Sequence, residues 1–323
     1  MRYQFDFRPY QRQFKQPLQT NHGTWDVRFG IILRLINETQ ASWGEIAPLS
    51  WFGSETWEQA LDFCSQLPNE ITDETISSIP ANLPACQFGF ESAREALTSK
   101  ELHSCLPISP PLDTPLIYSV LLPTGEAALE QWQTLWSQGY RTFKWKIGVA
   151  SIQEELKIFD KLFQELPKPT QLRLDANGGL SWQEANEWLR VCDRVGIEFL
   201  EQPLPVREVS AMLELSEVYS TQLALDESVA TLRQLQSSYQ QGWRGVFVIK
   251  AAIAGSPSRV RQFCHDHEID AVFSTVFETT IGRQAALKLA AELSRHNRAV
   301  GFGINHWFDS EGDENWLKHL WQL

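Results

Sequence analysis

Arg141-Thr-Phe-Lys-Trp-Lys-Ile-Gly148 reads as a short strand with a chemical oddity. Alternation puts Phe143, Trp145 and Ile147 on one face and Lys144 and Lys146 on the other. The apolar face suits packing against helices. Two ammonium groups side by side on the second face repel, and more so away from water. That face therefore opens to solvent or looks onto anionic groups.

Working outward, the same kind of short apolar run recurs between amphipathic stretches. The runs are Leu116–Leu122, Thr142–Ile147, Gln171–Asp175, Ile197–Glu201, Gln222–Asp226, Val246–Lys250, Asp270–Ser274 and Arg298–Phe302. Helical patterns separate them, among them Glu126–Gln138, Gln153–Glu165, Gln183–Val195 and Ser256–His265. Eight such alternations predict a parallel sheet, and eight strands close a (β/α)₈-type barrel. A doubly wound open sheet is the alternative, but it calls for a Gly-rich phosphate loop after the first strand, and Pro123-Thr-Gly-Glu126 is not one.

Five of the runs carry a charge at or near the end: Lys146, Asp175, Glu201, Asp226 and Lys250. Their separations of 29, 26, 25 and 24 residues are each one βα unit, which puts them at one height on successive strands. In a parallel barrel these C-terminal ends surround the active-site mouth. Alternation places Val246 and Val248 on the face of Lys250, Gln222 and Ala224 on that of Asp226, Phe199 with Glu201, and Arg173 with Asp175. A single such charge reads most simply as a helix cap or a solvated loop residue. Five in register read as an inward ionic ring. Three carboxylates converging without a cation would take up protons, and a hard divalent ion resolves that clash. An all-oxygen set favours Mg²⁺, with Mn²⁺ able to substitute. Lysines flanking such an ion suit proton abstraction next to a carboxylate, and Lys144 beside Lys146 is expected to lower that lysine's hold on its proton.

Upstream, residues 1–110 read as an α+β unit. Tyr3, Phe5 and Phe7 alternate, Val27–Ile36 and Ala41–Pro48 are strand patterns, and helices are expected over Glu55–Leu67 and Cys86–Ser99. The proline-rich Leu106–Pro115 predicts a boundary. A formal charge of −12 argues against nucleic acid or an anionic membrane as partner. No apolar run approaches a membrane span, the N-terminus lacks a signal-peptide core, and the five scattered cysteines read as reduced thiols, so a cytoplasmic enzyme is expected. His265 and His267 read as a solvated helix end.

The motifs Leu172-Arg-Leu-Asp-Ala-Asn177, Phe199-Leu-Glu-Gln-Pro203, Leu225-Asp-Glu-Ser228 and Val248-Ile-Lys250, with Lys144-Trp-Lys146, resemble the enolase superfamily in its muconate-lactonising subgroup. That resemblance covers nearly the whole chain. It implies a (β/α)₇β TIM-like barrel over residues 111–303 with an N-terminal α+β capping domain, residues 304–323 returning to the cap. It also implies Asp175, Glu201 and Asp226 as Mg²⁺ ligands and Lys146 and Lys250 as the acid/base lysines, the logic general to that superfamily. Lys144, Arg173 and Asn177 would tune them.

Trp43-Gly-Glu-Ile-Ala-Pro-Leu-Ser50, Phe52-Gly-Ser-Glu-Thr-Trp57 and Arg173 ahead of Asp175 narrow the resemblance to the o-succinylbenzoate synthase family. That family dehydrates 2-succinyl-6-hydroxy-2,4-cyclohexadiene-1-carboxylate for menaquinone or phylloquinone biosynthesis, which implies a small-molecule carboxylate as the binding partner. Lys146 would then take the proton and return it to the departing hydroxyl, with Lys250 staying charged. Ser274 and Thr275 are candidates for the succinyl carboxylate, Gly301 is a further substrate-binding candidate, and Trp51 and Phe52 are candidates for a cap loop over the mouth. The same core serves N-succinylamino acid racemases and dipeptide epimerases. Gly301-Phe-Gly303 lacks the acidic pair the epimerases use. A non-catalytic binding protein is disfavoured because no ligand or lysine is missing. Oligomeric state is not legible.

Overall fold

The computed structural model describes residues 1–20, 23–38, 40–98, 116–294, 298–303, 307–308 and 314–322. The expected boundary at Leu106–Pro115 and Cys105 fall outside them.

The N-terminal part is an antiparallel sheet of β1 (Arg2–Thr20), β2 (Gly23–Ile36), β3 (Ala41–Ile46) and β4 (Glu70–Thr72) in the order β3-β2-β1-β4. Helices α1 (Trp57–Gln66), α2 (Asp73–Ser77) and α3 (Pro84–Thr98) complete it. Thr56 and Gln59 form a capping box that starts α1. Helix α3 lies directly on β3, which needs glycines at the crossing. A Cβ on Gly44 would sit 2.1 Å from the Gly89 carbonyl oxygen. Strand β4 and helix α2 were not legible in the sequence, because three and five residues are too few for a periodicity.

The barrel strands are β5 (Ser119–Leu122), β6 (Thr142–Lys146), β7 (Gln171–Asp175), β8 (Phe199–Glu201), β9 (Leu223–Leu225), β10 (Val246–Ile249) and β11 (Ala271–Phe273). They pair in parallel and in chain order. Between them run α4 (Ala127–Ser137), α5 (Ile152–Glu165), α6 (Trp182–Val195), α7 (Val209–Val218), α8 (Leu232–Gln240), α9 (Ala251–Ala254) and α10 (Pro257–Asp266). Helix α11 (Thr280–Leu293) follows the last strand. Helix α6 shows why these form. Ser181 caps it, and Ala185, Trp188, Leu189 and Cys192 bury one stripe at helical spacing.

The run expected as an eighth strand is reduced to two bridges, Val300 to Tyr118 and Gly301 to Ser274. Val300 N donates to Ile117 O at 2.7 Å and Gly301 N to Phe273 O at 2.8 Å, which joins the first strand to the seventh and closes the barrel. Inside it, Phe199, Ala224, Val246, Val248 and Val272 form their own apolar cluster, whereas Leu223, Leu225, Phe247 and Ile249 pack outward. The inward set matches the strand alternation. Helix α12 (Glu314–Trp321) packs on the cap sheet, with Trp316 edge-on to Tyr10 at 5.4 Å and Trp321 edge-on to Trp43 at 4.6 Å. His265 and His267 are exposed at the end of α10, and the four described cysteines are buried free thiols. Among the described residues no helix is long and apolar enough to cross a membrane.

Candidate active site

Lys146, Asp175 and Glu201 are the last residues of β6, β7 and β8, and their Cα atoms are paired across the sheet. Asp226 and Lys250 directly follow β9 and β10. All five therefore sit on one rim of the barrel. Asp175, Glu201, Asp226 and Lys250 are buried, while Lys146 is half-buried.

The electrostatics of the rim differ from the sequence expectation in one respect. Lys144 does not direct its charge at Lys146. Its Nζ donates to Asp175 Oδ2 at 2.7 Å and Glu201 Oε1 at 2.8 Å. Burial alone would lower the Lys144 pKa, but Asp175, Glu201 and Asp226 overcome it and raise it well above the ordinary value. The physical reason is reach: inward-facing lysines one pleat apart find neighbouring-strand carboxylates before they meet each other. Lys250 Nζ bonds Asp226 Oδ1.

The carboxylates respond unequally. Burial pushes Asp175 up, yet Lys144 more than offsets it and holds the acid below its usual range. Glu201 is raised to about 8, by burial and then by Asp175. Asp226 is raised to about 6 by burial, with Lys250 opposing and Glu227 adding. Glu227 is a fourth acid that sequence reasoning passed over inside Leu225-Asp-Glu-Ser228. Its Oε1 accepts from Asn177 Nδ2 at 3.1 Å, its buried Oε2 has no hydrogen-bond partner among the described residues, and burial followed by Asp175 raises its pKa.

Gln202 is the other residue missed. It is fully buried in a left-handed conformation at φ 37. Its Oε1 accepts from Asp226 N at 3.0 Å and Ser228 N at 3.2 Å, and its Nε2 donates to Ser228 Oγ at 2.8 Å. The side chain thus fixes the backbone on which Asp226 stands. Its signal lay inside Phe199-Leu-Glu-Gln-Pro203. Asn177, in the left-handed region at φ 44, donates its backbone N–H to Asp175 Oδ1 at 3.1 Å.

From the cap, the turn Ser50–Phe52 brings the Phe52 ring to 4.2 Å from Lys250 Nζ, a cation–π contact. Trp51 is not brought to the lysines. It packs edge-on to Trp25 at 5.0 Å and stays 39% exposed. Ser274 is half-buried beside Gly301, where a Cβ would lie 3.1 Å from the serine hydroxyl. Thr275 spends its hydroxyl on Glu278 Oε2 at 2.9 Å and accepts from Phe277 N, so it is engaged within its own loop.

Arg173 is a correction. It does not tune Asp175. Its guanidinium reaches the opposite end of the barrel, donating to Glu198 at 2.7 and 3.1 Å and to Ala299 O at 2.8 Å. Arg298 completes this floor through Glu198 at 2.9 Å and Asp270 at 2.6 Å. Alternation gives the face of a residue but not which way a long side chain leans along the axis.

On the rim, four carboxylates (Asp175, Glu201, Asp226 and Glu227) stand with three ammonium groups (Lys144, Lys146 and Lys250). Burial raises Glu201, Asp226 and Glu227 despite the lysines beside them, whereas Lys144 keeps Asp175 low. Lys144 bridges Asp175 and Glu201, Lys250 pairs with Asp226, and no three ligating side chains close on a single point among the described residues. Oxygen-only donors on adjoining strands, short of positive charge, fit a hard divalent cation. A cavity of about 360 Å³ lies elsewhere, between the cap and α8–α10, and has none of these acids in its lining.

Comparison with known proteins agrees with this geometry. A model of the enolase C-terminal domain-like family matches residues 127–319, and a model described as MenC, N-terminal domain, matches residues 7–97. The class is therefore a capped, enolase-like barrel. The o-succinylbenzoate synthase of Thermosynechococcus vestitus is 41% identical over 315 residues, covering 95% of this chain and 94% of that protein. That of Yersinia pseudotuberculosis is 30% identical over 281 residues, covering 83% and 80%. The crystal structure of o-succinylbenzoate synthase from Thermosynechococcus elongatus BP-1, complexed with Mg in the active site, superposes with a TM-score of 0.88 at 38% identity and covers 99% of each chain. The chain belongs to the o-succinylbenzoate synthase family.

Proposed function

We propose that this chain dehydrates 2-succinyl-6-hydroxy-2,4-cyclohexadiene-1-carboxylate to 2-succinylbenzoate, a step of menaquinone or phylloquinone biosynthesis. The observation that carries the reading is the rim itself. Two lysines, Lys146 and Lys250, stand at strand ends on either side of three buried carboxylates. Asp175, Glu201 and Asp226 would hold Mg²⁺, which supplies positive charge next to the substrate's ring carboxylate.

The half-buried Lys146 is the base. In its neutral form it takes the proton from the carbon bearing the ring carboxylate. It then gives that proton to the departing hydroxyl, so one C–H and one C–O bond break and water leaves as the ring becomes aromatic. Lys250, held by Asp226 and covered by Phe52, remains an ammonium facing the developing negative charge. The N-terminal α+β part acts as the cap, with Phe52 excluding water on the Lys250 side. Ser274, whose hydroxyl lies against the bare backbone of Gly301, takes the succinyl carboxylate.

The test gives purified protein Mg²⁺ and the cyclohexadiene substrate, and follows the absorbance of the aromatic product. A parallel incubation with N-succinyl amino acids in D₂O reads α-deuterium exchange. Aromatic product is expected. Exchange without dehydration would assign the site to racemisation instead.

A further inference from the structure

Arg28, on cap strand β2, is 2% exposed and makes no ion pair among the described residues. It spends its guanidinium on four carbonyls. Nε donates to Val276 O at 3.0 Å, Nη1 to Phe29 O at 2.6 Å and Pro48 O at 3.0 Å, and Nη2 to Ala47 O at 2.6 Å. Bonds from an ionised donor are stronger than neutral ones, and a buried charge requires them.

The two distant segments it joins are the two walls of the site. Ala47 and Pro48 lead into the turn that places Phe52 over Lys250. Val276 lies two residues beyond Ser274, in the loop after β11. That loop is held by its own Glu278 and Thr275 and also by the cap. Phe277 is left-handed at φ 62, unfavourable for an aromatic residue, and is packed edge-on against Phe14 at 5.3 Å and Trp25 at 5.4 Å. Glu45 of β3 accepts from the backbone N–H groups of Thr279 and Gly282 at 2.9 Å, at the start of α11. Arg28 hydrogen-bonds both the Phe52 segment and the Ser274 loop from one rigid group, and Trp25 touches both by ring contacts to Trp51 and Phe277.

We propose that Arg28 is a specificity-determining positioning residue: it fixes the distance between the Phe52 wall and the Ser274–Gly301 wall, and so selects substrates whose second carboxylate spans that distance. This rests on the proposed dehydration. Arg28 touches no substrate atom itself; it acts through two backbone segments. Its loss should weaken recognition of the succinyl arm while the lysines, on other strands, keep their places.

The experiment compares wild type, Arg28→Lys and Arg28→Met, each checked for folding by circular dichroism. In Arg28→Met, KM for the cyclohexadiene substrate should rise about tenfold or more while kcat changes less than about threefold, the pattern of lost binding without lost chemistry. Arg28→Lys keeps the charge but not the fork, and should fall between. Inhibition by 2-succinylbenzoate should weaken by about the same factor as KM, whereas inhibition by benzoate, which lacks the arm, should hold steady. Equal weakening of both inhibitors, an unchanged KM, or failure of both variants to fold would reduce Arg28 to a structural staple and overturn the proposal. Absence of aromatic product from the wild type is a separate outcome that overturns the reaction, and this inference with it.

Discussion

Replacing Arg173 by Met separates the floor of the barrel from its mouth. The arginine side chain is 2% exposed and its partner Glu198 is 11% exposed, so the ion pair lies in a medium that screens poorly. The substitution removes bonds of 2.7 and 3.1 Å to Glu198 and 2.8 Å to the Ala299 carbonyl. Removing one member of a buried pair costs about 3–5 kcal/mol, mostly because the other charge is left uncompensated. Here Glu198 keeps Arg298 at 2.9 Å, so the lower end, about 3 kcal/mol, applies. For a chain of 323 residues, at about 2.1 cal/mol/K of unfolding entropy per residue, that is a drop in melting temperature of about 4 °C. Far-UV circular dichroism measures it, and kcat is read well below the transition. A lower Tm is expected with kcat within about twofold of wild type, because among the described residues the hydrogen bonds of Arg173 go to Glu198 and Ala299 rather than to the rim. An unchanged Tm with kcat reduced about a hundredfold would return Arg173 to the active site.

Other outcomes follow from the same contacts. Gln202→Leu removes the acceptor for Asp226 N and Ser228 N, and should weaken Mg²⁺ binding about tenfold or more by calorimetry; unaltered affinity would show that Asp226 holds its place unaided. Lys144→Met removes the ammonium that opposes the burial-driven rise of Asp175 and Glu201, so both acids keep protons to higher pH. The pH at which Mg²⁺ binding is half-maximal should therefore move up, and a downward or absent shift would refute that role. Metal-free protein carries a pH signature in Glu201, whose pKa is raised from 4.5 to about 8. A carboxyl raised on folding contributes stability that is full below its unfolded pKa and is lost as pH climbs through the folded one. Chelated protein should lose melting temperature across that window, and Mg²⁺, which binds the ionised form, should raise Tm more at its upper end. An equal Mg²⁺ increment at both ends would contradict this.

The barrel was legible because its regularity is one-dimensional. Strand alternation sorted Val246 and Val248 inward from Phe247 and Ile249, and βα spacing put Lys146, Asp175, Glu201, Asp226 and Lys250 on one rim. What escaped depends on contacts between distant segments. Arg28 and Glu45 lie inside strand patterns that do not name their partners, and they are buried where the cap meets the loop after β11. Arg173 showed its face but not its lean. Alternation puts Lys144 on the inward side of β6 beside Lys146, but the sequence does not say that the carboxylates of Asp175 and Glu201 lie within its reach. The eighth strand shrank to bridges next to Arg298, whose guanidinium is committed to Asp270 and Glu198 on the barrel floor.

The central claim is that Lys146 moves the proton at a metal site built from Asp175, Glu201 and Asp226. Its most direct test is Lys146→Ala assayed with saturating Mg²⁺ and the cyclohexadiene substrate, with Mg²⁺ affinity measured on the same preparation. Wild-type Mg²⁺ binding is expected, with loss of aromatic product by a factor of about 10³ or more. Lys146→Ala that binds Mg²⁺ and still forms product at a rate near wild type would contradict it.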